Sequence, residues 1–299
     1  MRVTILGCGG ASGVPMIGNI WGDCDPKNPK NIRRRSSILV EQGDTTLLVD
    51  TGPDLRLQLL DAGIGRLDSV LYTHTHADHT HGIDELRALN RIQRSGIDAW
   101  ATETDLKHLI SKYDYIFDSE DNFKDGINFY KPSLTPKQFT HGEPFTIGDI
   151  TVLPYAQDHG FMESTGFRFG DIAYTTDAVE LPDESFEALK GIKTWIVCCL
   201  QDKPHPTHAH FDRIMGWIDR VGPKQAILTH LSHRLDYGDL TQRLSGTNAK
   251  PAHDGLTIEQ QKTIKQLEES AQHIKNLEDL KEQQLTHIHN LKGDKEKLL

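Results

Sequence analysis

Runs of apolar residues, separated by glycine, proline and aspartate, divide the first part of the chain into short predicted elements. Strands rich in β-branched and aliphatic residues are predicted at 2–7 (RVTILG), 36–41 (SSILVE) and 45–50 (TTLLVD). Apolar positions at helical spacing follow at 54–63, and 68–73 (DSVLYT) then predicts a buried strand. The beginning of the chain therefore predicts strands and a helix that lead into a polar loop.

The same alternation of strand and helix continues to about residue 259. Helices are predicted at 82–94, from Thr104 with its hydroxyl as the cap, at 183–190 and at 210–221, and strands at 99–103, 145–157, 165–169, 171–176, 194–200 and 225–229. This order predicts an α/β (α+β) domain over residues 1–259, with two stacked sheets and helices on the outside.

Two segments depart from this order, and each has two interpretations. Residues 113–144 are irregular and rich in aromatic side chains, which fits either a substrate lid or an insertion packed on the domain. Residues 260–299 contain no proline, and their apolar residues recur at three- and four-residue steps, which predicts a long amphipathic helix. Because the stripe is interrupted at 278–284, this extension is either a single helix or a coiled coil that forms a homo-oligomer.

Composition narrows the possible partners. The 299 residues include 43 acidic and 33 basic side chains, for a net charge of −10. This balance disfavours binding to extended nucleic acid or to a membrane surface. No run approaches the ~20 apolar residues of a membrane span, and the start shows no export signal, so we expect a cytoplasmic protein with reduced cysteines. Sixteen histidines are an unusual number beside 10 phenylalanines and 7 tyrosines.

Four of the histidine and aspartate residues lie close together after the strand at 68–73. They are His74, His76, Asp78 and His79. On a tight loop, two of the imidazoles can bind one cation while Asp78 and His79 turn towards a second. Three more polar residues, His159, Asp177 and His230, each stand where a later predicted strand ends. Together the seven residues predict a two-metal site at one edge of a sheet.

The order of these seven residues along the chain, and their places after predicted strands, resemble the metal-binding motif of the metallo-β-lactamase-fold hydrolases. The match includes Leu48-Val-Asp-Thr-Gly52 before the histidines and covers most of residues 1–259. The start (Gly7-Cys-Gly-Gly10, then Ser12-Gly-Val-Pro15) and Leu228-Thr-His-Leu-Ser-His233 are more similar to the phosphoribosyl cyclic phosphate phosphodiesterase branch. The resemblance implies a four-layered αββα sandwich.

The resemblance also implies a site with two divalent metal ions, zinc or manganese. One ion would be bound by His74, His76 and His159, the other by Asp78, His79 and His230, with Asp177 bridging the two. A hydroxide between the metals would be the nucleophile. His208 matches the family's general acid, and the resemblance favours this role over the alternative that it is a residue at the start of a helix. The expected catalytic residues are therefore His208, Asp78 and Asp177.

We therefore expect a dinuclear phosphodiesterase acting on a small anionic phosphodiester, such as a cyclic phosphate or a nucleotide. Two alternatives stay open. The same site could hydrolyse a thioester or a lactone, or the protein could be a non-catalytic metal-binding scaffold that oligomerises through residues 260–299.

Two features differ from the phosphodiesterase branch or extend it. That branch often carries a structural zinc bound by three closely spaced cysteines and by a late histidine at the position of His233. Here the corresponding loop contains only Cys24, so we expect no structural zinc. The consecutive residues Arg33, Arg34 and Arg35 form either a phosphate-binding cluster or a solvated turn.

Overall fold

The strands of the described part of the chain form two seven-stranded sheets. The structure is a computed structural model, and it describes residues 1–117 and 132–260, together with Lys281. The first sheet contains, in spatial order, β14 (Thr257–Glu259), β1 (Arg2–Gly7), β2 (Ser37–Gln42), β3 (Thr45–Val49), β4 (Ser69–Leu71), β5 (Ile97–Ala101) and β6 (Leu134–Gln138). The second contains β13 (Ala249–Pro251), β12 (Gln225–Thr229), β11 (Thr194–Cys198), β10 (Ile172–Thr175), β9 (Glu163–Phe169), β8 (Ile150–Asp158) and β7 (Phe145–Ile147).

Each sheet joins an antiparallel half to a parallel half. Strands β3 to β6 run parallel in the first sheet, and β10 to β13 run parallel in the second. Parallel neighbours need crossover connections, which here are helices or long loops. Their carboxyl ends therefore lie along one edge of each sheet, which is where the predicted metal ligands follow in the sequence.

The helices cover the outer faces of the sheets. They are α1 (Leu55–Asp61), α2 (Ala77–Thr80), α3 (Leu86–Gln93), α4 (Glu103–Lys112), α5 (Asp114–Phe117), α6 (Asp183–Ala188), α7 (Phe211–Val221) and α8 (Tyr237–Arg243), with 3-10 helices at Pro29–Asn31 and Ile83–Glu85. The capping hydroxyl of α4 belongs to Thr102, which accepts a hydrogen bond from the backbone N–H of Asp105. The sequence-based prediction of Thr104 was therefore wrong by two residues.

Three clusters of buried apolar side chains pack between the layers. The central cluster lies between the sheets and joins side chains such as Ile5 and Val40 of the first sheet to Phe167 of the second. An outer cluster packs α1, α3 and α4 on the first sheet, and another packs α6, α7 and α8 on the second. This arrangement confirms the predicted αββα sandwich.

The differences from the predicted elements have simple causes. The strand predicted at 145–157 is a hairpin, because Gly148 turns the chain at a φ of +52° between β7 and β8. The predicted helix at 82–94 begins as the 3-10 helix and continues as α3. Strands β6, β13 and β14 were not predicted. The last two have three residues each, too few to show a periodic pattern, and β6 is an edge strand that contains Pro136 within the segment predicted to be irregular.

Two predicted segments lie wholly or partly outside the described residues. Tyr113 and Ile116, at the start of the irregular region, are buried in the outer cluster of the first sheet. Residues 118–131 are not described, so the lid remains a prediction. The chain divides into one compact unit at Met1–Glu259 and a second at Gln260–Leu299. The predicted C-terminal helix falls almost entirely outside the described residues. Among the described residues, no helix has the length and apolarity needed to span a membrane.

The pairing of β8 with β9 generates a test of the core. Tyr155 stands opposite Gly166, and a Cβ atom on Gly166 would overlap the tyrosine ring. We expect Gly166→Ala to lower the free energy of unfolding by about 1–3 kcal/mol, because the buried ring must move. Gly216→Ala is the control, since Gly216 lies in α7 with no atom near its Cβ position, and it should be neutral or stabilising. Urea unfolding measures both, and equal stability of Gly166→Ala and the wild type would contradict this packing.

Candidate metal centre

The seven predicted metal ligands come together at the carboxyl ends of the strands. His74 and His76 lie on the loop after β4, and Asp78 and His79 lie on α2, which begins directly after that loop. The other three residues, His159, Asp177 and His230, follow β8, β10 and β12. Ligand atoms from these residues form several groups of three whose members all lie within 4.8 Å of one another.

One group consists of three imidazoles. His74 Nε2 lies 2.9 Å from His76 Nδ1, and His159 Nε2 lies 3.3 Å from the same His76 atom. His74 and His159 are buried, whereas His76 is exposed. Three imidazoles converging in this way are a ligand set typical of zinc.

The second group is built around Asp177. Its Oδ2 atom lies 3.1 Å from His79 Nε2 and 3.2 Å from His230 Nδ1, and Asp78 Oδ2 lies 3.3 Å from His79 Nε2. The other oxygen of Asp177 lies 3.8 Å from His159 Nε2 of the first group. Asp177 therefore lies between the two groups, which is the position expected of a bridging carboxylate.

The protonation pattern of His79 fits metal binding. Its Nδ1 atom lies 2.7 Å from Asp50 Oδ2, while its buried Nε2 atom faces Asp78 and Asp177 without a well-aligned hydrogen bond to either. Because Asp50 accepts the proton on Nδ1, the ring is oriented with Nε2 towards the cluster, where a cation would take the place of a second proton. Asp50 is itself held by the backbone N–H and the hydroxyl of Thr73. The residues present therefore fit a divalent cation.

Burial and mutual charge set the pKa values of the cluster. Burial lowers the pKa of His74 well below its ordinary value and that of His230 to about 4, so both imidazoles remain neutral and available as ligands. Burial opposes ionisation of Asp177, but His230 and His79 outweigh it and hold the pKa of Asp177 well below its usual range. Burial likewise lowers the pKa of His79, but Asp78, Asp177 and Asp50 outweigh it and raise that pKa. The carboxylates therefore require compensating positive charge.

Backbone strain is concentrated at the same place. Five non-glycine residues among those described have a positive φ, and three of them belong to the site: Asp50 at +65°, Asp177 at +52° and His230 at +54°. Side chains rarely adopt this region, and when they do it is often at functional sites. The strain aims these side chains across the strand ends.

His208 lies beside the second group. Its Nε2 atom is 3.0 Å from Asp177 Oδ1, and its Nδ1 atom is 2.8 Å from the hydroxyl of Thr207 and 3.2 Å from His205 Nδ1. His208 is also close enough to His159 and Asp177 to be counted as a metal ligand. The geometry therefore fits either a proton donor at the site or a further ligand.

The three consecutive arginines do not form a common anion site. Arg33 is only 2% exposed and is held by protein atoms, so for this residue both the phosphate-binding and the solvated-turn predictions were wrong. Arg34 pairs with Asp61, and Arg35 pairs with Asp54. Both remain partly exposed, and a substrate role for them stays a prediction.

Several contacts around the ligands were not predicted from the sequence. Ser36 Oγ lies 3.1 Å from His230 Nδ1, and His159 Nδ1 lies 2.7 Å from the backbone oxygen of Thr207. These partners fix ring orientation, as outer partners of metal ligands do. A backbone carbonyl leaves no signal in the sequence, and Ser36 could have been noticed only by its place at the start of a strand.

A cavity of about 290 Å³ opens next to the cluster. Its wall includes His208 and His230, the backbone of the Gly10–Gly13 loop, and three further polar residues, His205, His233 and Arg234. Imidazoles and a guanidinium group suit an anionic ligand. The volume admits a small molecule rather than a polymer.

Comparison with known proteins agrees with this geometry. The profile of the β-lactamase superfamily domain matches residues 45–231. Among solved structures, a new diphosphatase from the PhnP family is 32% identical in sequence to this chain. The two structures superpose with a TM-score of 0.77, and the match covers 87% of this chain and 98% of that chain.

Two curated proteins give further matches. An octanoyltransferase of Porphyromonas gingivalis is 30% identical over 258 residues, which are 86% of this chain but only 51% of that protein. The chain therefore spans about half the length of this relative. A ribonuclease Z of Bradyrhizobium sp. (strain ORS 278) is 42% identical over 69 residues, covering 22% of this chain and 23% of that protein.

The contact between Asp50 and His79 generates a prediction about metal affinity. In Asp50→Asn the amide keeps the shape of the carboxylate but loses its charge, so His79 is a weaker ligand. We expect the affinity for zinc or manganese to fall about 10–100-fold. Asp183→Asn is the matched control, because Asp183 is an exposed carboxylate paired with Arg220. Calorimetric titration of metal-free protein measures both, and an unchanged affinity in Asp50→Asn would contradict the assigned role.

Proposed function

Because the chain belongs to the β-lactamase superfamily, as a metal-dependent hydrolase related to the PhnP family, we propose that it is a dinuclear phosphodiesterase for a small phosphodiester such as a cyclic phosphate or a nucleotide. One observation carries the proposal. Two groups of metal ligands share Asp177, and His208 lies 3.0 Å from that carboxylate at the wall of a small cavity. The similarity to a diphosphatase supports chemistry at phosphorus.

The two ligand groups would hold zinc or manganese ions. His74, His76 and His159 form one set, and Asp78, His79 and His230 form the other, with Asp177 between them. When bound, such ions neutralise charge on a phosphoryl group and lower the pKa of water. The protein contributes the geometry, because strained backbone and buried hydrogen bonds hold the ligands before the substrate arrives.

His208 is proposed to protonate the leaving group. Its Nδ1 side contacts Thr207 and His205, and its Nε2 side faces Asp177 and the cavity. A proton on Nε2 would lie between Asp177 and the cavity, where we propose that the oxygen of the leaving group is released. General acid catalysis by histidine needs this proximity first and a suitable pKa second.

The cavity supports a small anionic substrate. Arg234 is exposed at its wall, and the imidazoles of His205 and His233 lie beside it. The chain as a whole carries a charge of −10, which would repel a long polyanion. We further propose a cytoplasmic location and a homo-oligomer formed through residues 260–299.

An acyl substrate is the second candidate. The similarity to the octanoyltransferase favours it, although the chain covers only 51% of that protein and the match does not show which half transfers the acyl group. A thioester or lactone would be attacked at carbon in the same site. The thiolate that leaves a thioester would need less help from His208, whereas the alkoxide that leaves a lactone would still need a proton.

Activity assays on one preparation separate the candidates. We expect metal-reconstituted protein to hydrolyse bis(p-nitrophenyl) phosphate and to leave S-acylglutathione and lactones nearly unchanged. His76→Ala and Asp78→Ala should abolish the phosphodiesterase activity by removing ligands. His108→Ala, on the exposed side of α4, is the control and should keep it. Full turnover by metal-stripped protein would disprove the proposal, and preferential turnover of the thioester would favour the second candidate.

Substitution of His208 distinguishes a general acid from a metal ligand. In His208→Gln we expect both metals to remain bound, while the rate on a phosphodiester with an alkoxide leaving group falls about 10²–10⁴-fold. The rate on a p-nitrophenyl ester should fall much less, because that leaving group needs no proton. His210→Gln, at the start of α7, is the control. Loss of one metal equivalent from His208→Gln would instead identify His208 as a ligand.

A further inference from the structure

The loop that precedes Arg33 does not fit the structural zinc implied by the phosphodiesterase branch. Cys24 is the only cysteine between residues 16 and 33. Its buried Sγ atom donates a hydrogen bond to the backbone oxygen of Leu235 at 3.5 Å. Burial raises the pKa of this thiol, so it stays neutral, whereas a zinc ligand is a thiolate. The donor set for a metal is therefore missing at this place.

A buried guanidinium group lies at this place instead. Arg33 Nη1 donates to the backbone oxygen of Ser232 at 2.8 Å and contacts Cys24 Sγ at 3.8 Å. Arg33 Nη2 donates to the backbone oxygen of Leu235 at 2.7 Å and to Asn31 Oδ1 at 3.2 Å. The group thus joins the 17–33 segment, which carries Cys24 and Asn31, to the 231–237 segment.

The positive charge of Arg33 is balanced through a short network. Asn31 Nδ2 donates to Asp236 Oδ2 at 2.6 Å, and the backbone N–H of Tyr237 donates to Asn31 Oδ1 at 2.8 Å. Asp236 also accepts a hydrogen bond from the backbone N–H of Asp25 at 3.0 Å. The guanidinium group and this network therefore link the two segments by several hydrogen bonds, as a shared metal ion would link them through its ligands.

The 231–237 segment is part of the candidate active site. It begins directly after His230, whose φ is +54°, and its residues Ser232, His233 and Arg234 line the cavity beside the cluster. The backbone N–H of Leu231 is fixed by Cys8, and that of Ser232 by Leu200. Arg33, which does not line the cavity, donates to the backbone oxygens of Ser232 and Leu235, one at the start of the cavity wall and one just after it.

We propose that Arg33 takes the place of a structural metal ion and positions the cavity wall formed by residues 232–234 for substrate binding. The structural part of this inference stands on the contacts of Arg33, and its consequence for substrate rests on the proposed phosphodiesterase function. Arg33 is a positioning residue, since its contacts are with protein atoms rather than with the cavity. A lysine would keep the charge, but its donors all belong to one nitrogen, so it lacks the planar fork with which Arg33 reaches Ser232 from Nη1 and Leu235 and Asn31 from Nη2.

The test compares Arg33→Lys and Arg33→Met with the wild type, with Arg66→Met as a control that removes an exposed arginine paired with Asp68. Hydrogen exchange is measured at the backbone amides of Asp23, Asp25 and Tyr237, which bond across the two segments. We expect faster exchange at these amides in both Arg33 variants and unchanged exchange in the central strands. For bis(p-nitrophenyl) phosphate, KM should rise roughly tenfold with kcat nearly unchanged, because binding and not chemistry is disturbed.

A metal count keeps the proposal testable even if an Arg33 variant fails to fold. Wild-type protein and Cys24→Ser, both saturated with zinc and desalted, should contain the same number of zinc ions per chain. Loss of one equivalent in Cys24→Ser would overturn the proposal, because Cys24 would then be a metal ligand. Wild-type exchange rates in Arg33→Lys would also overturn it. Hydrogen exchange and the number of zinc ions per chain are measured without any substrate. A failure of the phosphodiesterase assay alone would therefore count only against the proposed function.

Discussion

Buried negative charge at the strand ends is the constraint on which the rest of the site depends. Asp50 and Asp177 are almost fully buried, and Asp78 is only 13% exposed. Removing such charges from water costs several kcal/mol per ion unless they are paired. Neighbouring imidazoles supply part of the compensation, and divalent cations would supply more. The parallel halves of the two sheets make this concentration of charge possible, because the carboxyl ends of their strands lie along shared edges.

The site combines this fixed cluster with a small cavity. The metal ligands are held by strained backbone at His230 and Asp177 and by buried partners such as Asp50. The cavity wall is made by loops, and one of these loops is tied down by Arg33 rather than by a metal ion. A preorganised centre with a loop-built cavity is a common way for one fold to act on different substrates. Phosphodiester hydrolysis is the reaction that this combination supports best.

Much of the site could be predicted from the sequence because its ligands follow a spacing and a strand context. His74 to His79 stand on one loop and short helix, and the later ligands each end an apolar run. Arg33 could not be predicted in this way, since nothing in three consecutive arginines shows which one is buried. Its role depends on Ser232 and Leu235, about 200 residues away along the chain. Strands β13 and β14 were missed, and the hairpin at Gly148 was predicted as a single strand, because local pattern is weaker than tertiary pairing in such short elements.

The central claim is that hydrolysis depends on both ligand groups that share Asp177. The most direct test adds zinc or manganese stepwise to metal-free protein and follows bound metal and phosphodiesterase rate in the same samples. We predict that the phosphodiesterase rate rises with the number of bound metal ions and reaches its plateau at two ions per chain. Asp177→Asn should not reach that plateau. A full rate in metal-free protein, or a plateau in Asp177→Asn equal to that of the wild type, would contradict it.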